Sequence, residues 1–135
     1  MEIERKPITY KGRSLGIIIL TGAQLLIGII HILFGFLLLA YEELFLKASA
    51  AYYFYTIAFG LLVTVFAVFI WQSKKIGWTG TIVILVFVTI ADCLTLLNLP
   101  SIPGIPKIAA PTEITYSIIV IFYLLLPHVK NKFTQ

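Results

Sequence analysis

Long apolar stretches, set apart by short islands of charge, constrain this chain more than any motif in it. Residues 15–40, 53–71, 78–98 and 112–127 are apolar with few exceptions. The charges are confined to 2–13, 42–47, 74–75, 107–113 and 130–132, with Asp92 standing alone. A helix needs ~20 residues to cross ~30 Å of hydrocarbon. With 60% hydrophobic and 12% charged residues in a chain of 135, too little polar surface exists to clothe a soluble domain. The expected fold is therefore all-α: an integral membrane four-helix antiparallel bundle, built as a single domain over residues 1–135. At 26 residues the first span exceeds the hydrocarbon thickness and is expected to tilt or protrude. The fourth is the shortest, and Pro127 stands where it stops. The first stretch is too long for a signal-peptide core and lacks a small-residue cleavage site after it, so it reads as a span.

Lysine and arginine assign the sides. The N-terminal segment, the 72–77 loop and the C-terminal segment carry eight of them (Arg5, Lys6, Lys11, Arg13, Lys74, Lys75, Lys130, Lys132), whereas the other two loops carry Lys47 and Lys107. The positive-inside rule then puts both termini in the cytoplasm of a multi-pass cell-membrane protein. Trp71 and Trp78 bracket the inner loop; Tyr41, Tyr52 and Tyr53 mark the outer interface. The net charge of +4 flanks spans instead of forming an aromatic-interleaved patch, so nucleic acid is not an expected partner. In 99–111, Pro100, Pro103 and Pro106 recur every third residue, a spacing that predicts a stiff polyproline II connector. Thr112 or a neighbour is expected to cap the fourth helix, with Glu113 favouring its dipole. Residues 42–47 read as a continuation of the first helix or an interfacial turn.

Within the first span Thr21, Gln24, Gly28, His31 and Gly35 follow a 3, 4, 3, 4 spacing and fall in about an 80° sector at helical periodicity. Lipid offers a polar group no partner, so this stripe should face protein, its glycines admitting another backbone. Matching stripes run through Thr56, Gly60, Thr64, Ala67 and Trp71, through Thr81, Leu85, Thr89, Asp92 and Thr95, and through Glu113, Tyr116, Ser117, Val120, Tyr123 and Leu124. The expected helix-packing residues are Gly28, Gly35 and Gly60; the expected intramembrane polar core is Gln24, His31, Asp92 and Tyr116. Asp92 is the costliest of these, at roughly 2.5–3.5 kcal/mol if ionised near a helix centre, and needs a proton or a partner. His31 comes out at similar depth, with helix tilt deciding whether they touch. A metal site from His31, Asp92 and Glu113 is chemically conceivable but has no recognisable spacing, and neither metal nor cofactor is expected. The lone Cys93 excludes an internal disulfide and reads as a small packing residue. His128 reads as interfacial, and Phe54, Phe59, Phe66 and Phe69 as an outward face of the second span.

The first span, through Gln24, Gly28, His31, Ile32, Gly35 and Leu37–Leu38, resembles the first helix of the membrane-spanning four-domain subfamily A, the group of the B-lymphocyte tetraspan antigen. The four-span layout with a short inner loop is similar too. That resemblance covers about one helix in four and implies a non-enzymatic protein that assembles into oligomers or with receptors. The chain departs from the family in its short, Cys-free loop before the fourth span and its minimal tails. Its Gly-rich first helix and the tail "YLLLPHVKNKF" also look like those of small prokaryotic four-helix membrane proteins.

Nearly every residue is used in spanning, and no cluster suited to catalysis lies near one interface. The expected function is a non-catalytic membrane subunit or scaffold acting with other membrane subunits or copies of itself. The alternative is a small oligomeric channel or transporter using His31 and Asp92.

Overall fold

The structure, a computed structural model, describes residues 9–10, 13–41 and 49–134. The reading made for 42–47 lies outside them. Two short strands, β1 (Thr9–Tyr10) and β2 (Arg13–Ser14), pair antiparallel and lead into α1 (Leu15–Ala40). Then come α2 (Ala50–Trp71), α3 (Lys75–Leu96), α4 (Ala110–Leu125) and a single turn, α5 (Pro127–Lys130). The helices α1, α2 and α3 are long and apolar enough to cross a membrane, and α4 is a shorter apolar helix of 16 residues. At 1.5 Å per residue α4 is ~24 Å long, short of the ~30 Å hydrocarbon thickness.

Each helix packs on the next in sequence, as short links require. Ile17 and Leu20 of α1, Phe59, Val63 and Ile70 of α2, Ile84, Leu85 and Val88 of α3, and Val120 and Leu124 of α4 form one buried apolar cluster. Val129 and Phe133 fold across its end. The closest approach is α1 on α2, where Gly28 and Gly60 present bare backbone to each other. A Cβ built on Gly60 would lie 2.6 Å from the Gly28 carbonyl oxygen. Gly35 seats the Ile57 side chain in the same seam. Most stripe threonines turn inward differently from expectation. Thr56, Thr64, Thr89 and Thr95 each donate to the carbonyl four residues back in their own helix, which satisfies the hydroxyl without a neighbouring helix.

Several boundaries move, each for a local reason. Ser49 caps α2 by accepting from the Tyr52 amide at 3.3 Å, so α2 starts before residue 53. α3 begins at Lys75, not at Trp78, after a tight turn in which Ser73 adopts φ 56°. The Lys74 amide reaches back to Phe69 and the Ser73 amide to Ile70, which is the Schellman arrangement. Asn98, at φ 57°, ends α3 in the same way. α4 starts at Ala110 after Ala109, with Pro111 in its first turn and no side-chain cap, so Thr112 does not cap it. Pro127 opens α5 instead of closing α4, because Leu126 is held extended at ψ 133°, as a residue before proline prefers. The 99–111 loop is a run of turns, not a polyproline rod: Gly104 is left-handed at φ 101° and seats the Tyr52 Cβ, and the Ala109 amide bonds the Pro106 carbonyl at 3.1 Å. Phe59 is buried and packs edge-on against His31, while Cys93 is exposed. Phe59 is thus core instead of outward face, and Cys93 packs against nothing in the core.

Candidate functional site

Helical periodicity carries Asp92 into the interior. Thr81, Leu85, Val88 and Asp92 share the buried face of α3, and Asp92 has no exposed surface. The loop beyond α3 seals that end. Ser101 donates to the Ala91 carbonyl at 3.0 Å, with its hydroxyl 3.0 Å from that of Thr95, while Lys107 bonds Asn98. α4 carries Glu113 in its first turn, where the helix dipole favours an acidic group. Neither Asp92 oxygen meets an N–H or hydroxyl donor among the described residues.

Glu113 also opens onto a cavity of about 240 Å³ that His31, Phe59, Tyr116 and Ser117 help to line. His31 and Tyr116 therefore share one chamber with Glu113, and Asp92 is not part of its lining. The His31 ring places Nδ1 2.8 Å from the Ile27 carbonyl of its own helix and meets the Phe59 ring at 4.9 Å. No hydrogen bond joins His31 to Asp92. The buried Tyr116 hydroxyl has no partner among the described residues.

Gln24 stands apart from this group. It lies nearer the β1–β2 end of the molecule and donates across the bundle to Thr81 at 3.4 Å, leaving its carbonyl oxygen unpaired. The four side chains expected to form one polar core thus divide: Gln24 bonds Thr81, His31 and Tyr116 line a chamber with Glu113, and Asp92 is buried without a hydrogen-bond partner among the described residues. Glu113 is the residue that sequence reasoning left at the rim, as a dipole partner or metal ligand. Its position three residues before Tyr116 and four before Ser117, on one helical face, was the available signal. Among the described residues no group of three or more His, Cys, Asp and Glu side chains is arranged to hold a metal ion, so the His31, Asp92, Glu113 combination does not assemble as a metal site.

The end with β1 and β2 is fastened by aromatic and cationic groups. Arg13 donates to the Trp71 carbonyl at 2.9 Å with its guanidinium 4.4 Å from that indole's centroid. A cation there complements the C-terminus of α2. Trp78 donates from its indole nitrogen to the Leu124 carbonyl at 2.9 Å, tying the start of α3 to the end of α4. Comparison with protein-family models, with curated proteins and with solved structures gives no match.

Proposed function

We propose that this chain is a four-span membrane protein with both termini cytoplasmic, and that it acts without catalysis as a small subunit or scaffold in a larger membrane assembly. The observation that carries the reading is the use to which the structure puts its surface. Polar groups of the long helices are spent on bonds within the fold, as Gln24 to Thr81 and the threonines to their own helices show. The outward faces offer large apolar side chains, among them Leu33, Phe54, Val83 and Phe122. Between α2 and α3 they leave an apolar groove of about 590 Å³, with Gly80 in its wall and Phe66 and Phe87 beside it. In a bilayer such a face associates by close packing and not by the hydrophobic effect. The eight-to-two split of Lys and Arg supports the orientation. The likeness of the first helix to the four-domain subfamily A points the same way.

A second reading, a small oligomeric channel or transporter, is favoured by Asp92, which is buried without a hydrogen-bond partner among the described residues, since intramembrane ionisable groups commonly mark ion or proton paths. The assembly reading is tested by what the purified protein contains. Extraction in mild detergent followed by native mass measurement is expected to give multiples of the 15.1 kDa chain or a stoichiometric complex with another membrane chain. A clean 15.1 kDa monomer in several mild detergents and in nanodiscs would contradict the assembly reading.

A further inference from the structure

The apolar groove between α2 and α3 has a closed end and a cationic end. Leu62 and Phe66 of α2 line it together with Ile76, Gly80 and Val83 of α3. At the closed end the rings of Tyr55 and Phe87 meet, their centroids 6.5 Å apart, a distance at which aromatic rings are in contact. At 1.5 Å per residue the stretch from Ile76 to Phe87 measures ~17 Å, close to one leaflet's share of ~30 Å of hydrocarbon. At the other end, helical spacing carries the α2 wall on from Phe66 to Phe69. The Lys74 ammonium stands 5.2 Å from the Phe69 ring centroid, and exposed Lys75 directly precedes Ile76. Among the described residues no carboxylate lies at this end, because Asp92 stands towards the close of α3 and Glu113 in the first turn of α4. Arg13 is held on Trp71, which leaves the two lysines to meet an anion.

We infer that this groove binds one anionic phospholipid, its acyl chain lying against Leu62, Phe66 and Val83 and its phosphate paired with Lys74 and Lys75. A chain of one leaflet's length fits a groove that stops at Tyr55 and Phe87, whereas a helix crossing the whole bilayer would run past them. A helix also packs closely where small residues admit its backbone. Here the small residue is already covered, since the Phe66 ring takes the space that a Cβ on Gly80 would fill. What the groove exposes is Leu62, Ile76 and Val83, a surface for hydrocarbon. Lysine stems lie along apolar surface while their ammonium groups reach the headgroup level, and basic pockets between membrane helices take anionic headgroups. The inference rests on α2 and α3 spanning a bilayer and not on assembly, because Leu33 of α1 and Phe122 of α4 stay outward with the lipid in place.

Photo-crosslinking of the full chain in nanodiscs of equimolar phosphatidylglycerol and phosphatidylcholine, with identical acyl chains, tests this. Val83 is 62% exposed in the groove. Val83→Cys, in a chain carrying Cys93→Ser, is labelled with benzophenone maleimide, irradiated and weighed intact. The expected product is the chain plus one phospholipid, with phosphatidylglycerol preferred by at least about fivefold, the factor that one lysine near an anionic headgroup supplies. The same probe at Phe122→Cys is expected to capture the two lipids about equally. Phe122 is the matched control, because Trp78 ties neighbouring Leu124 to the start of α3 and so sets it at the same end. Lys74→Gln with Lys75→Gln should bring the Val83 ratio down to that of Phe122, and Lys130→Gln should leave it unchanged. Equal capture of the two lipids at Val83 with both lysines intact would overturn the proposal. So would the same preference at Phe122, or an equal loss in Lys130→Gln, since either would show diffuse attraction to a basic surface. Cross-linking of Val83→Cys to a second protein chain in place of lipid would overturn it by putting a helix in the groove. Failure of the chain to enter the nanodisc at all would contradict the membrane reading itself, and the lipid site with it.

Discussion

Gly28 and Gly60 touch through their backbones: a Cβ on either would come within 2.9 Å of the other's carbonyl oxygen. Contact this close between two long helices holds α1 and α2 together without any strong polar bond, and it fixes the frame on which α3 and α4 are laid.

Gly60→Leu is accordingly expected to destabilise severely. A Cβ there already collides with rigid backbone at Gly28 and Ile32, and overpacking costs about 1–3 kcal/mol or more. Gly22→Ala is the matched control, because a Cβ at Gly22 meets nothing within 4 Å. Thermal unfolding in a single detergent should separate them, with Gly22→Ala equal to or above wild type. Equal losses in both would show that the seam does not hold the helices.

The left-handed residues predict gains. Ser73 at φ 56° and Asn98 at φ 57° close their helices in a conformation that costs an L-residue roughly 1–2 kcal/mol. Ser73→Gly is expected to raise stability by about 1 kcal/mol, and Asn98→Gly by less, since asparagine tolerates that region better. A lower midpoint for Ser73→Gly in the same unfolding measurement would contradict the turn geometry.

The polar crossbond predicts a small effect from a large chemical change. Gln24 is almost fully buried, with one long bond to Thr81 and an unpaired carbonyl oxygen. Gln24→Leu removes a bond worth about 1 kcal/mol together with an unsatisfied acceptor of similar cost, so stability should change by less than ~1 kcal/mol. Gln24→Ala removes packing as well and should lose about 2 kcal/mol or more. If Gln24→Leu proves the more damaging, the amide has a partner that this geometry does not include.

His31→Leu tests whether the histidine acts within its own helix or across the bundle. Among the described residues the ring bonds the Ile27 carbonyl of its own helix and packs against Phe59. Leucine keeps that apolar contact, so stability should fall by no more than about 1 kcal/mol. A loss several times larger in the same unfolding measurement would mean that the imidazole has a further partner in the bundle.

The helices were legible in the sequence because lipid-length apolar runs and 3.6-residue periodicity both follow from local composition. α1 spans Leu15–Ala40 as expected, and the stripe glycines Gly28, Gly35 and Gly60 lie in the α1–α2 seam. What the sequence did not disclose depended on backbone geometry or on azimuth between helices. Ser73, Asn98 and Gly104 set their turns through left-handed φ values. Pro127 starts a helical turn because Leu126 is extended. That Glu113, and not Asp92, shares a chamber with His31 and Tyr116 depends on how far α3 and α4 rotate against each other. Periodicity places both acids on inward faces but cannot say which inward residues meet.

All of these readings rest on the helices crossing a bilayer, including α4 with its 16 residues. The most direct measurement is cysteine accessibility in sealed vesicles, with exposed Cys93 first replaced by Ser. Single cysteines at Ser73, in the α2–α3 turn, at Ile108, 91% exposed in the loop before α4, and at Thr134, beyond α5, report the crossings of α3 and α4. A membrane-impermeant maleimide is expected to reach Ser73→Cys and Thr134→Cys from the cytoplasmic side and Ile108→Cys from the opposite side. Labelling of Ile108→Cys from the same side as Ser73→Cys, or of Thr134→Cys from the same side as Ile108→Cys, would contradict the four-span arrangement.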